Sequence, residues 1–227
     1  RYHVTDPRHM KVDKDWLISP KYGAYRASQI DEKVGLPCPE SPGKGGTVYF
    51  CTADGEGNMV SFIQSNFLDF GSGIVVSDTG IALQNRGFGF SLNPEDSNAL
   101  APGKKTYHTI IPGFIMKDGE AIGPFGVMGG AMQPQGHIQV LMNLIDFNLN
   151  PQQALDAPRW QWMEGKRFLV ENGFPVEIAR QLLFKGHQVE VALDNECFGK
   201  GQIILRQPNG VLVGGTEGRA DSNIACY

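Results

Sequence analysis

Gly45-Gly-Thr-Val-Tyr-Phe-Cys-Thr-Ala-Asp54 and Met59-Val-Ser-Phe-Ile-Gln-Ser-Asn66 are two β-rich runs separated by Gly55-Glu-Gly-Asn58. Turn-forming residues between two such runs predict a hairpin. Side chains alternate along a strand, so Met59, Ser61, Ile63 and Ser65 are expected on one face. Just upstream, Gly35 to Gly46 holds three prolines and four glycines in twelve residues, the composition of a linker or exposed loop. Thr47 therefore stands where a loop becomes a strand.

Outward from this hairpin, the pattern predicts a helix from Pro20 to Val34, with Tyr22, Tyr25, Ile30 and Val34 on its apolar side. Strands are expected at Gly73–Ser77, Gly80–Gln84, Thr109–Lys117 and Ala121–Val127. A helix follows over Gly136–Phe147, with Ile138, Leu141, Met142 and Ile145 at helical spacing. Asn150-Pro151 supplies a cap and a first-turn proline for a short helix over Gln152–Ala157. Another helix fits Pro175–Phe184, stopped by Gly186, before a strand from His187 to Leu193. Gly201–Arg206 and Val211–Gly214 close the chain as strands joined through Pro208-Asn209-Gly210. Strands, then helices, then strands indicate an α+β fold rather than an alternating parallel one.

The chain has 227 residues, 41% hydrophobic and 19% charged, with a net charge of -4. It can bury a core, and it offers no basic face for nucleic acid. No apolar run approaches the roughly 18 residues of a membrane span. The chain opens Arg1-Tyr2-His3, which reads as a start inside a longer precursor with any targeting signal upstream. Cys38, Cys51, Cys197 and Cys226 are widely spaced, which favours free thiols and a reducing compartment such as the cytoplasm.

The chemistry-bearing residues each have a plain and a functional reading. No G-x-S-x-G elbow exists and no two of the five histidines have metal-ligand spacing, so serine-triad and metal mechanisms lose support. Thr47 is either a β-branched strand starter or, if the Gly46–Thr47 bond is cut, a nucleophile whose own amine is the base. A freed α-amine has a pKa of about 7.7–8.0 and is partly neutral at neutral pH. Gly129 and Gly130, in Val127-Met-Gly-Gly-Ala-Met-Gln-Pro-Gln-Gly136, form either a tight strand-to-helix turn or a pair of backbone oxyanion donors ahead of a helix N-terminus. His108 is a packed or surface histidine or a pocket group. Arg86, in Gln84-Asn-Arg-Gly-Phe-Gly-Phe90, makes a surface ion pair or binds a carboxylate.

Together and in this order, Gly45–Asp54, Gly57-Asn58, Phe70-Gly-Ser-Gly73, Leu83-Gln-Asn85, Met128-Gly-Gly130, Asn150–Arg159, Arg219 and Ala225-Cys-Tyr227 resemble the small subunit of γ-glutamyltransferases. Residues 1–40, including Thr5-Asp-Pro-Arg8, resemble the end of the large subunit. The resemblance implies a four-layer αββα sandwich of the N-terminal nucleophile hydrolase type. It divides the chain into residues 1–46, the end of the large subunit with the cleavage loop, and residues 47–227, the small catalytic subunit. It implies autocatalytic cleavage of a precursor and attack by Thr47 on an amide to give an acyl-enzyme. Ser65 falls where a hydroxyl supports the nucleophile, and Gly129 and Gly130 match the oxyanion donors. The large subunit from the same precursor is the implied partner, a small acyl amide the substrate, and no cofactor or metal is called for.

Departures from the family pattern bear on the substrate. The usual Thr-Thr-His opening is Thr47-Val48-Tyr49, and an Asn near the nucleophile is replaced by Phe67 unless Asn66 takes over. The aspartate that holds a glutamyl α-amino group falls on Gly89, and the paired serines for its α-carboxylate fall on His108 and Thr109. This pattern is similar to the cephalosporin-acylase-like branch. The expected activity is thus cleavage of γ-glutamyl or related acyl amides, with an uncleaved structural or binding fragment as the other reading.

Overall fold

A computed structural model describes residues 4–29 and 46–227. In chain order the elements are α1 (Lys14–Leu17), α2 (Pro20–Ala27), β1 (Thr47–Ala53), β2 (Met59–Ser65), β3 (Val75–Val76), β4 (Ile81–Ala82), β5 (Gly113–Lys117) and β6 (Glu120–Met128). There follow α3 (Met132–Ile145), α4 (Pro151–Asp156), β7 (Trp160–Glu164), β8 (Arg167–Val170), α5 (Val176–Phe184), β9 (Gln188–Val191), β10 (Lys200–Arg206) and β11 (Leu212–Thr216). The fold is α+β. Among the described residues it forms two compact units, one of 4–29 with 66–109 and one of 46–65 with 110–227.

The first unit is mostly loops around α1, α2 and the short antiparallel pair β3–β4. Asp6, 2% exposed, organises it by accepting from the Arg8 guanidinium at 2.7 Å and from the backbone N–H of Arg8 and Lys105. These bonds hold the Asp6 carboxyl well below the usual carboxylate range, the Arg8 side chain being the largest influence. Helix α2 begins with the Ser19 hydroxyl capping Tyr22 N–H and ends at Ala27, short of the expected Val34. Tyr25 is exposed, and Ile30, Val34 and the Gly35–Gly45 loop lie outside the described residues.

The second unit is layered. β1 and β2 pair antiparallel as the expected hairpin, and Ile63 points inward while Val60 and Phe62 are exposed. This hairpin packs on a four-stranded antiparallel sheet ordered β11-β10-β6-β5. Helices α3 and α4 pack on β6, β10 and β11. Alternation along β6 builds both contacts. Gly126 faces the hairpin, where an added Cβ would lie 2.5 Å from the Tyr49 ring. Phe125 and Val127 join Val140, Leu155 and Ile203 in the core. These are three successive layers, hairpin, sheet and helices.

Helix α3 starts at Met132, four residues earlier than expected, because Pro134 in a first turn needs no intrahelical N–H partner. Of the expected apolar face, Leu141 packs against the core, but the rest differs. Ile138, Met142 and Ile145 are exposed, whereas Gln133, Gly136, His137 and Val140 are buried. Gly136 permits the close approach, since a Cβ there would be 2.7 Å from a Val127 methyl. The strand expected from Thr109 begins only at Gly113. Pro112 has no N–H to pair, and Ile111 N–H goes to the Gln133 side chain at 3.0 Å.

Strands β7 and β8 were not expected, and β8 pairs parallel with β9 across α5. β7 is bound to α3 by glutamine amides. Gln135 donates to Trp162 O at 3.2 Å and accepts from its N–H at 2.8 Å, and Gln139 does the same to Trp160 at 2.9 and 3.1 Å. Two side chains one helical turn apart thus replace a neighbouring strand. Gln152 of α4 treats Thr216 of β11 in the same way, at 2.9 and 3.0 Å. Cys51, Cys197 and Cys226 are free thiols. No helix among the described residues is long and apolar enough to cross a membrane.

Candidate active site

Thr47 opens β1, and its register partner in β2 is Ser65. Directly opposed residues bring their side chains together, and the Thr47 hydroxyl donates to Ser65 Oγ at 2.9 Å. Both are half-buried, while Gly46 is exposed. A strand fixes the hydroxyl, and the residue before it is exposed.

Gly129 and Gly130 follow β6, with φ of 133° and 58°. Only glycine adopts such angles without strain, so the turn into α3 depends on them. Their carbonyls accept from Met132 N–H at 3.0 Å and Gln133 N–H at 3.2 Å, which roots the turn in the helix start. Gly129 also rests on Gly199, because a Cβ would lie 2.9 Å from the Gly199 Cα. Gly199 is itself held from behind. Arg159, 2% exposed, donates to Phe198 O at 3.0 Å and Gly199 O at 2.9 Å.

Arg159 belongs to a buried ionic cluster that local sequence does not reveal. It pairs with Glu217 at 2.8 Å, and Arg219 pairs with Glu217 at 2.6 Å and with Glu171 at 2.5 Å. Glu217 further accepts from Gly201 N–H at 2.8 Å and Glu171 from Arg159 N–H at 2.6 Å. Burial pushes Arg159 down from its ordinary value. Arg159 and Arg219 carried the family resemblance, but the two glutamates were not singled out.

Beneath the hairpin, Tyr49 is 4% exposed and its hydroxyl lies 2.8 Å from Ser61 Oγ. Ser61 in turn donates to Gly113 O at 2.8 Å. Since Ser61 gives its only proton to that carbonyl, Tyr49 is the donor in the first bond. Burial pushes the Tyr49 phenol above its usual range and the Cys51 thiol up to about 11, so both remain neutral near pH 7.

The expected substrate-binding residues lie in the first unit. Arg86 is only 4% exposed and makes no ion pair among the described residues, which corrects the surface-pair reading. One guanidinium nitrogen donates to Thr109 Oγ1 at 2.9 Å, the group sits 5.4 Å over the Phe67 ring, and the other terminal nitrogen has no partner among the described residues. Burial lowers its pKa. His108 is exposed, and partial desolvation together with the Arg86 charge pushes it below its ordinary value. Asn66 accepts from Asn85 N–H through its carbonyl at 3.1 Å. The Asn85 side chain then pins Leu68 with bonds of 3.0 and 3.3 Å. Phe67 between these anchors takes φ of 80° and Asp69 just after them takes 44°, unusual for side-chain-bearing residues. The geometry thus brings together Thr47 with Ser65, and Arg86 with Thr109 and His108. Gly89 carries no carboxylate and has only ordinary contact with Tyr107.

The chain is similar to known proteins along its whole length. The family model described as Gamma-glutamyltranspeptidase matches residues 1–227. The chain is 38% identical to the oxamate amidohydrolase proenzyme of Klebsiella pneumoniae, over 99% of this chain and 44% of the relative. It is 36% identical to the glutathione hydrolase-like YwrD proenzyme of Bacillus subtilis, over 96% of this chain and 42% of the relative. The chain therefore spans less than half the length of these curated relatives. Among solved structures, cephalosporin acylase from Bacillus halodurans matches with a TM-score of 0.92 and 58% identity, over 100% of this chain and 42% of that one. A gamma-glutamyltranspeptidase from Pseudomonas nitroreducens matches with a TM-score of 0.68 and 26% identity, over 79% of this chain and 98% of that one.

Proposed function

The chain belongs to the gamma-glutamyltranspeptidase family, and from that premise we propose that it is the catalytic portion of a self-cleaving amide hydrolase or acyltransferase whose nucleophile is Thr47. The observation that carries this reading is the Thr47–Ser65 hydroxyl pair at the head of a strand that follows an exposed glycine. Cutting the Gly46–Thr47 bond turns an amide nitrogen into an amine able to accept the hydroxyl proton. Ser65 orients that hydroxyl. Gly129 and Gly130 supply backbone N–H donors to the oxyanion of the tetrahedral intermediate, whose collapse expels the amine and leaves an ester on Thr47. Water or a second amine then releases the acyl group.

Residues 47–227 form the small subunit in this proposal, and residues 1–46 end the large one. The Pseudomonas nitroreducens chain supports the division, since 98% of it is matched by 79% of this chain, about the share that residues 47–227 make up. The proenzyme relatives extend well beyond the matched part, and two apolar faces suit the remaining precursor as partner. One is Val48, Phe50, Val60 and Phe62 on the hairpin, the other Ile138, Met142 and Ile145 on α3.

The acyl group in this reading carries a carboxylate but needs no ammonium. A buried Arg86 with an unused nitrogen and no carboxylate neighbour suits an anion, with Thr109 as the second polar contact and Asn66 and His108 at its margins. Gly89 leaves an α-amino group without a charged acceptor, which weakens binding by about 1.5–3 kcal/mol relative to a charge-assisted bond. The test is hydrolysis of paired anilides by the full-length precursor product. Glutaryl and γ-glutamyl anilides should be cleaved with similar kcat/KM, and the acyl adduct should lie on a fragment beginning at Thr47. Strong dependence on the α-amino group would overturn the substrate reading, and an adduct elsewhere would overturn the nucleophile.

A further inference from the structure

Tyr49 stands where the family pattern has a histidine, and it is the buried residue that joins the nucleophile strand to the sheet. Its ring covers Gly126 of β6 so closely that any side chain there would collide with it. Its hydroxyl continues through Ser61 to Gly113 O of β5, at 2.8 Å in each step. Thr47 is two residues along β1 from Tyr49, and Gly129 is three residues beyond Gly126 in the chain. A strand is stiff over such short distances, so whatever seats Tyr49 also seats Thr47 over the sheet whose central strand runs into the glycine pair. We propose that Tyr49 and Ser61 are positioning residues that fix the approach of Thr47 to the Gly129–Gly130 turn. The proposal rests on Thr47 being the nucleophile.

The contacts divide the task. The ring against Gly126 sets the spacing between hairpin and sheet, because removing a Cβ at 126 is what allows an aromatic to lie flat there. The hydroxyl chain sets the position along the sheet, since it ties one point of β1, through β2, to one carbonyl of β5. Attack on a bound carbonyl demands placement to about half an ångström, and an error of 1 Å costs on the order of 100-fold in rate. Binding of a distant part of the substrate is insensitive to such an error. The signature of this role is therefore a loss in kcat with little change in KM.

The experiment uses the full-length precursor and the variants Tyr49→Phe, Ser61→Ala, Ser61→Thr, the Tyr49→Phe/Ser61→Ala double, and Thr47→Ala as reference. Tyr49→Phe keeps the ring, so folding is preserved and thermal midpoints should stay near the parent's. We expect Tyr49→Phe and Ser61→Ala each to lower kcat about tenfold, with KM within about twofold. The double variant should be no worse than the poorer single one, because both break one chain, and Ser61→Thr should recover most of the activity. Unchanged kcat in both singles, a loss confined to KM, multiplicative losses in the double, or failure of Ser61→Thr to rescue would each overturn the proposal. An inactive Thr47→Ala beside an unimpaired Tyr49→Phe overturns the positioning role alone. A processed and fully active Thr47→Ala overturns the nucleophile reading and this inference with it.

Discussion

Thr47 donates its hydroxyl proton to Ser65 Oγ at 2.9 Å, from a position directly opposite it in the β1–β2 ladder. An alcohol can orient that proton but is far too weak a base to remove it at neutral pH, so Ser65 cannot activate Thr47. The activating base has to come from elsewhere, and in the proposed mechanism it is the amine that cutting before Thr47 would free on the same residue. The hydroxyl pair is thus one half of a mechanism that the second half completes.

Replacing Ser65 by alanine should therefore impair turnover without abolishing it. Loss of one neutral hydrogen bond costs about 1 kcal/mol, several-fold in kcat. Thr47→Ala should lower kcat by on the order of 10⁴-fold or more, whereas Thr47→Ser should retain measurable activity. Steady-state kinetics on each purified full-length precursor product distinguish the three.

Arg86→Ala should act through the acyl carboxylate. For a carboxylate-bearing acyl anilide the loss should be about 10- to 100-fold in kcat/KM, and for a neutral acyl anilide of equal length it should be about twofold or less. Arg86→Lys should restore only part, since an ammonium cannot satisfy both Thr109 and a ligand with the same planar geometry. Equal losses on both substrates would assign Arg86 to structure.

The cluster of Arg159, Glu217, Arg219 and Glu171 predicts a large stability effect for a small change. Glu217→Gln leaves the buried Arg159 without its ion pair and Arg219 with Glu171 alone, and should cost about 3–5 kcal/mol in denaturant unfolding. The exposed pair Arg167–Glu190, with side chains 43% and 59% exposed, should contribute about 1 kcal/mol or less when Glu190 becomes Gln.

His137 gives stability a pH dependence of defined sign. It is 7% exposed, its ring lies tilted against that of Phe125 at 5.2 Å, and its Nδ1 lies 2.6 Å from Gln133 O. Burial pushes its pKa below 6.5, so the unfolded chain takes up a proton at a pH where the folded one does not. Stability should be complete above pH 6.5 and fall as the pH drops through the folded value, by up to about 1.4 kcal/mol per pH unit. His137→Gln should flatten that slope in urea titrations between pH 7 and 5.

What could be read from the sequence was local. The hairpin, the glycine turn and the short helix at Pro151 follow from spacing, caps and turn residues within a few positions of each other. Asn150 does cap the helix as Asn-Pro suggested, and Gln153 completes a reciprocal cap that was not expected. Interactions set by the fold were hidden. Strand β7 borrows its hydrogen bonds from Gln135 and Gln139, more than twenty residues away along the chain. Helix α3 buries Gly136 and His137 and exposes Ile138 and Met142, because close approach to β6 outweighs hydrophobicity there. Arg86 looked like a surface cation, and its burial depends on Phe67 and Thr109, nineteen or more residues away along the chain. The Arg159–Glu217 pair spans 58 residues and leaves no short-range pattern.

The most direct test of the account is the intact mass of the purified full-length precursor followed over time. A new chain beginning at Thr47 should accumulate together with amidase activity, and Thr47→Ala should block both. A precursor that stays whole while active, or that is cut at another bond, would contradict the assignment of Thr47.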